Sequence, residues 1–225
     1  MQAARIIQVP LETERISIFP SPEGSARTDV PRFQIRPYQI EDIDGIYAAA
    51  DESREHIGKW MGWLTSDYTR DHAAAWVELS MGDWERGDSY EHVIVDSTDG
   101  TIVGACGLNG VGHKDLVCNL GYWVRSSRLG QGAARQAVRL LRDFGFQTLG
   151  FNRLEIVVAD GNDHSRRVAM SAGAIYEGLQ RMRIRIGMRP CDAHMYALLN
   201  PAAAEQLWKE RSKTKATAEI PPPVM

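Results

Sequence analysis

The sequence predicts a single α/β domain, a mixed and mostly antiparallel sheet with helices on both faces. Three observations point there. Asp99-Gly100 sits between two alternating apolar runs, which is a hairpin signal and gives an antiparallel start. From Cys118 onward, apolar runs and helical periods follow each other as β-α-β-α-β. Within that alternation "RLEIVVA" (Arg153 to Ala159) is a continuous apolar run, the kind a buried parallel strand needs. The 225 residues are 44% hydrophobic and 24% charged, enough apolar surface to fill a core of this type.

Taken in order, residues 1–31 read as an extension, with "LETERISIF" (Leu11 to Phe19) as a strand before a loop rich in Pro, Gly and Ser. The domain is expected over 32–200, opening with the strand "RFQIRP". Ile40, Ile43, Ile46 and Tyr47 share one helical face. A second helix is capped by Thr69 and runs to about Arg86, with Ala73, Trp76, Val77 and Ser80 along its stripe. After the hairpin, "CNLGYWV" is a strand that turns through glycines into a helix over 132–148, with Ala134, Ala137, Val138, Leu141 and Phe144 inward. A short helix over 163–171 stops at Gly173, followed by strands Ile175 to Ile186 and His194 to Leu199 around the turn "GMRPCD". Residues 201–225 are expected to be a charged tail, helical after Pro201 and without fixed structure from Lys213 on.

Composition narrows the function. With 26 basic and 29 acidic residues, the net charge of -3 argues against a general nucleic-acid binder. Cys106, Cys118 and Cys191 form no CxxC pair, so neither zinc nor a disulfide framework is expected, and no metal. No apolar run reaches membrane-spanning length and the first ten residues lack a secretion signal, so a cytoplasmic protein, monomer or homodimer, is the expectation.

The chemistry concentrates in two segments. Arg128-Leu129-Gly130-Gln131-Gly132-Ala133 joins a strand to a helix. Its glycines let backbone approach a ligand, and successive N–H groups at the helix start can cradle an anion. From Leu116 to Arg142 five arginines and no acid occur, with Arg135, Arg139 and Arg142 on one helix face. That suits a pyrophosphate, although a lone G-x-G also serves as a plain turn and an arginine face as a solvated one. A dinucleotide fold is the rival, with Asp160 as its ribose acid, but its third glycine position holds Arg135. In the second segment Asn162 and Ser165 occupy a strand-to-helix turn, where α/β sheets place ligands; Asn162 or Asp163 could equally be only a helix cap.

In sequence order, "NLGYWV", "RLGQGAARQAV", "FNRLEIVVADGNDHSRRVAMSAGAIYEGLQR" and "CDAHMYAL" resemble the GNAT acetyltransferases, in particular the ribosomal-protein N-terminal (RimJ/RimL-like) subgroup, from about Arg32 to Leu199. The resemblance implies a splayed cleft holding acetyl-CoA. Its pyrophosphate would rest on the amides of Leu129, Gly130, Gln131, Gly132, Ala133 and Ala134 beside Arg128. Its pantetheine arm would lie along Trp123, Val124 and Arg125, with Asn162 hydrogen-bonding it. Ser165 matches the position proposed to donate to the leaving sulfur. "KWMGW" resembles the substrate-side helix and loop, which makes Trp60 and Trp63 the expected acceptor-binding residues. The acceptor would be an amine, a protein N-terminus or a small molecule.

Several family positions differ. The residue opening the usual cofactor loop is Ser127, the tyrosine acid of other branches falls at Ala169, the acid before "GYW" is Asn119, and a glutamate of one subgroup falls at Ile184. For a general base Glu177, Glu91, His92 and Asp192 remain open, with Glu177 at a recurrent family position and His194 expected to be packed or solvated. An α-amine, with a pKa of about 7.7–8.0, needs less help from a base than a lysine. The missing base therefore favours an α-amine acceptor. A small-amine or antibiotic acetyltransferase, and a catalytically weak acyl-CoA-binding protein, are the alternatives.

Overall fold

The computed structural model describes residues 31–217, so the strand expected at Leu11 to Phe19 lies outside the described residues. The strands are β1 (Phe33–Pro37), β2 (Tyr90–Asp96), β3 (Ile102–Gly112), β4 (Val117–Val124), β5 (Arg153–Ala159), β6 (Ile175–Ile186) and β7 (Arg189–Leu199). The helices are α1 (Ile43–Asp51), α2 (Arg54–Ile57), α3 (Arg70–Arg86), α4 (Ala133–Asp143), α5 (Asp163–Ser171) and α6 (Pro201–Thr217). All seven strands form one open sheet in the order β1-β2-β3-β4-β5-β7-β6. The β4–β5 pair is parallel and its neighbours are antiparallel, the mixed sheet expected.

Alternation along the strands divides the core in two. On one face Ile94, Leu108, Leu120 and Ile156 pack against Ala137, Val138 and Leu141 of α4 and Ala169 of α5. On the other, Val93 and Ala105 meet Ile46 of α1 and Ala73 and Val77 of α3.

Local signals explain most helix ends. Thr69 caps α3, its backbone N–H donating to His72 Nδ1 at 3.1 Å, and Gly87 closes the helix at φ 75°. The buried stripe of α3 is Ala73, Val77, Ser80 and Trp84. Trp76 stands at its border instead, 44% exposed, with its indole N–H 3.4 Å from the Tyr38 hydroxyl. Helix α4 runs straight into one wider turn over Phe144–Thr148, marked by the Leu149 N–H to Phe144 carbonyl bond of 3.2 Å. Helix α6 reaches Thr217, so it takes in the first residues of the segment expected to lack structure; alanine and lysine there are good helix formers.

Strand β7 begins at Arg189, five residues before the expected start, and the turn shrinks to Gly187 and Met188. Pro190 is tolerated because it lies beyond Ala193, where β5 has ended and β7 has one neighbour. Opposite it, β6 bulges between Gln180 and Ile184. Met182 takes φ 51° there, and its N–H is held by Asp192 Oδ1 at 2.8 Å.

The hairpin tip reaches across to the loop between α2 and α3, where Gly62 lies against Gly187. A Cβ on Gly62 would stand 2.8 Å from the Gly187 nitrogen. Backbone faces backbone, so neither side can turn a rotamer away. Gly62→Ala is expected to cost about 1–3 kcal/mol, read as a lowered midpoint in urea. An unchanged midpoint would mean that the two loops do not touch in solution.

Candidate active site

Strands β4 and β5 pair only at Val117–Arg153, Cys118–Leu154 and Asn119–Glu155. Beyond Asn119 and Glu155 the facing edges have no strand partner. A cavity of about 970 Å³ occupies the gap. Trp123, Val124 and Tyr122 line it from β4, and Val157, Val158 and Ala159 from β5.

One end of the cavity is the turn into α4. Arg128, Leu129, Gly130, Gln131, Gly132, Ala133 and Ala134 all line it. Gly130 and Gly132 hold φ of 73° and 86°, which side-chain-bearing residues rarely adopt. The first bond along α4 is Gln136 N–H to the Gly132 carbonyl, and no side chain caps this end. The N–H groups of Ala133, Ala134 and Arg135 are therefore left for an external acceptor, with the positive end of the helix dipole behind them. Arg135 and Arg167 also line the cavity and have no carboxylate partner among the described residues. Arg128 is different. Buried Asp96 at 3.1 Å and Asp99 at 2.7 Å fix its guanidinium. Hydrogen bonds from Arg32 and Thr98 hold the Asp96 carboxyl well below the usual range. Arg142 pairs with Asp143 at 2.7 Å, so the arginine row expected along α4 is not directed as a set toward the cavity.

The approach to this turn is pinned from α1. Glu52 accepts from the Ser127 N–H at 3.0 Å and hydroxyl at 2.8 Å, and pairs with Arg125. Ser53 Oγ accepts from the Ser126 N–H at 3.0 Å. The side chain of Arg125, expected on the pantetheine arm, is thus committed to Glu52 and to the Ile102 carbonyl at 3.2 Å, away from the cavity lining.

The middle of the cavity holds Asn162 and Ser165. Asn162 Oδ1 accepts from the Ser165 N–H at 3.1 Å, so the capping role is real. Asn162 lines the cavity, and its amide nitrogen has no partner among the described residues. Ser165 Oγ lies 3.0 Å from the Tyr122 hydroxyl. Burial pushes the Tyr122 phenol up to about 12. Ala169, one helical turn on, is fully buried in the core.

The far end is apolar. Trp60, Met61 and Ile184 line it, Ile184 being brought in by the β6 bulge. Trp60 also borders a second hollow of about 520 Å³ with Glu55, Lys59 and Asp163 at its rim. Trp63, expected beside Trp60, does not line the cavity: its ring lies 5.9 Å from Trp123 and 5.5 Å from Tyr68, bracing Trp123 from behind.

The expected bases fare poorly. Arg153 of β5 grips Glu177 of the edge strand β6 with two hydrogen bonds, which lower the Glu177 carboxyl, and neither residue lines the cavity. His92 is sealed among Trp84 and Phe144, and burial lowers it to about 4, so it stays neutral. Burial raises Glu91, which accepts from Asn109 at 3.1 Å outside the cavity. Asp192 holds the bulge, and His194 sits between Tyr176 at 3.2 Å and Asp160 at 3.0 Å. Among the described residues the lining contains no Asp or Glu; its imidazoles are His56 and His164. Sequence alone missed Tyr122, Glu52, Ser53, Arg167 and His56. The alternation of "GYWV" already set Tyr122 and Trp123 on opposite faces, a signal available for the first.

A parallel pair that parts over a helix start with free amides makes a cleft suited to a long ligand with an anionic end. The acetyltransferase (GNAT) domain pattern matches residues 32–175, and the chain belongs to that family. The chain is 34% identical over 171 residues to p20 of Bacillus licheniformis, named as an N-acetyltransferase, covering 75% of this chain and 93% of that one. Its fold matches Mycobacterium smegmatis RimJ, solved with a CoA-disulfide, at TM-score 0.67 and 25% identity over 78% of this chain and 83% of that one. The ribosomal α-N-protein acetyltransferase RimL, solved with coenzyme A, matches at TM-score 0.69 and 17% identity over 76% and 96%. The protein is an N-acetyltransferase with ribosomal-protein acetyltransferases of the RimJ/RimL kind among its relatives. Among the described residues no helix is long and apolar enough to cross a membrane, and no cluster of three metal-ligating side chains occurs.

Two outcomes follow from this geometry. Gly132→Val sets a branched side chain at φ 86° beside the free amides and is expected to abolish acetyl-CoA binding by calorimetry while circular dichroism keeps the native signature. Normal binding would remove this turn from the site. For Glu52, hydrogen bonds led by Arg125 hold the carboxyl at about 2, against an ordinary 4.5. Its stabilising contribution is then complete above about pH 4.5 and is lost as pH falls toward about 2. Glu52→Gln is expected to lower the thermal midpoint at pH 7, by about 1 kcal/mol in stability. The gap to wild type should narrow on acidification through that window; a gap constant with pH would refute the pinning.

Proposed function

We propose that the protein is an acetyl-CoA-dependent N-acetyltransferase whose acceptor is the α-amine of a protein or peptide N-terminus, attacking the thioester directly in a ternary complex. One observation carries this reading: the cavity lining has no carboxylate, and Glu55 and Asp163 stand only at the rim of the neighbouring hollow. A polyamine or other polycation would call for acidic residues along its path, and a lysine acceptor would call for a strong base. A neutral α-amine needs neither. It gains its rate from being held against the carbonyl carbon and from donors aimed at the developing oxyanion. The ribosomal-protein acetyltransferases among the relatives support the same acceptor.

In this reading the free amides at the start of α4, with Arg128 and Arg135, hold the coenzyme pyrophosphate. The Asn162 amide nitrogen donates to the pantetheine arm. An N–H on the unpaired edge of β4 near Trp123 or Val124 faces the carbonyl oxygen. Ser165 Oγ donates to the leaving sulfur, and Trp60 flanks the incoming amine. The setting is cytoplasmic.

Short peptides with a free α-amine are expected to be acetylated, with thiol release rising through about pH 7.7–8.0 as the amine loses its proton. The same peptides with a blocked N-terminus and an internal lysine should be inert. Turnover of polyamines in preference to free N-termini would replace this reading with the small-amine one, and coenzyme binding without turnover of any amine would leave only a binding protein.

A further inference from the structure

Tyr122 stands on β4 just past the last rung shared with β5, lining the cavity. Its hydroxyl lies 3.0 Å from the backbone carbonyl oxygen of Ser165 and 3.0 Å from Ser165 Oγ. A phenol has one proton, and here two acceptors on one residue compete for it at equal distance. Ser165 Oγ has no other partner among the described residues, while its N–H is held by Asn162. The serine is therefore fixed in place by its backbone, and its hydroxyl is free to rotate.

We propose that Tyr122 is a positioning residue for the departing sulfur: its hydroxyl moves its hydrogen bond from the Ser165 carbonyl to Ser165 Oγ, and Ser165 turns its own proton to the sulfur. The inference rests on the role of Ser165 given under the proposed function. Before the reaction, Tyr122 donates to the Ser165 carbonyl and Ser165 donates to Tyr122. As negative charge grows on sulfur, the better acceptor is the sulfur. Ser165 rotates toward it, and its Oγ lone pair accepts the Tyr122 hydrogen bond. A hydroxyl that accepts a hydrogen bond donates a stronger one, so the two reinforce each other only while the charge is present. Burial keeps the phenol protonated throughout the working range, so its proton is always there to be shared.

The balance is simple. A nitrogen–carbon bond forms, the carbon–sulfur bond breaks, and its electron pair stays on sulfur. The acceptor nitrogen loses a proton to solvent, and the freed thiolate regains one from solvent. Tyr122 and Ser165 end with the protons they began with.

The test is a double-mutant cycle in the full chain, using acetyl-CoA and a free α-amine peptide. Tyr122→Phe is expected to lower kcat about five-fold and Ser165→Ala about tenfold, each with the acetyl-CoA KM within about two-fold. The double variant should be no slower than Ser165→Ala, because Tyr122 acts only through that hydroxyl. Additive losses, or a wild-type kcat for Tyr122→Phe beside a slow Ser165→Ala, would overturn the relay alone. A wild-type kcat for Ser165→Ala would overturn the serine role on which it rests. Fluorotyrosine placed at position 122 keeps shape and fold while making the phenol more acidic. A high-pH fall in kcat, absent from wild type in the working range, should then appear, because an ionised phenol has no proton to give; a profile identical to wild type would refute the proposal.

Discussion

Three rungs of parallel pairing govern the molecule. Val117, Cys118 and Asn119 bind β5, and then the strands part. A sheet that ends a ladder in its own interior leaves backbone N–H and carbonyl groups without partners, which is costly unless something else fills the gap. Each strand survives because its other edge is fully paired, β4 to β3 and β5 to β7. The gap is thereby framed by two rigid ladders. The protein keeps an unfinished sheet, and in the proposed function a coenzyme arm would stand where the missing strand belongs.

The frame constrains what surrounds it. A helix must start where the gap ends, and α4 does so with its amides free and two left-handed glycines leading in. That turn would be loose on its own. Glu52 and Ser53 hold the residues before it from the opposite face of the sheet, and Asp96 holds Arg128. Each tie uses charge-assisted or backbone-directed bonds, which fix direction as well as distance. The turn into α4 is thus oriented by carboxylates that do not line the cavity. This explains why an arginine count along the sequence overstated the positive charge available there.

The sheet and its helices were legible because their signals are local. Thr69, Asp99-Gly100, the glycines at 130 and 132 and the apolar run Arg153 to Ala159 each name a structure within a few residues. Contacts between distant segments were not legible. Nothing near Arg125 announces Glu52, and nothing near Trp63 says that it will back Trp123 while Trp60 faces inward. The same holds for Glu177, whose family position suggested chemistry while Arg153, 24 residues earlier, claimed its carboxylate. The early start of β7 was hidden by Pro190, which reads as a strand breaker until the end of β5 frees that edge. Tyr122 lies between these cases: alternation gave its face, and only the packing of α5 gave its partner.

The contact of Gly62 with Gly187 joins the α2–α3 loop to the β6–β7 hairpin without a side chain. A gate made of rotamers opens in picoseconds to nanoseconds, because one torsion is enough. Two backbones in contact have no such torsion. The α2–α3 loop and the hairpin, which carry Met61 and Ile184 of the cavity lining, part only when one of them moves as a body, on the slower scale of loop motion. The Met182 bulge, tied to Asp192, stiffens the hairpin against that movement. Separation of the two segments is therefore paced by the backbone, whatever the size of the side chains around the contact.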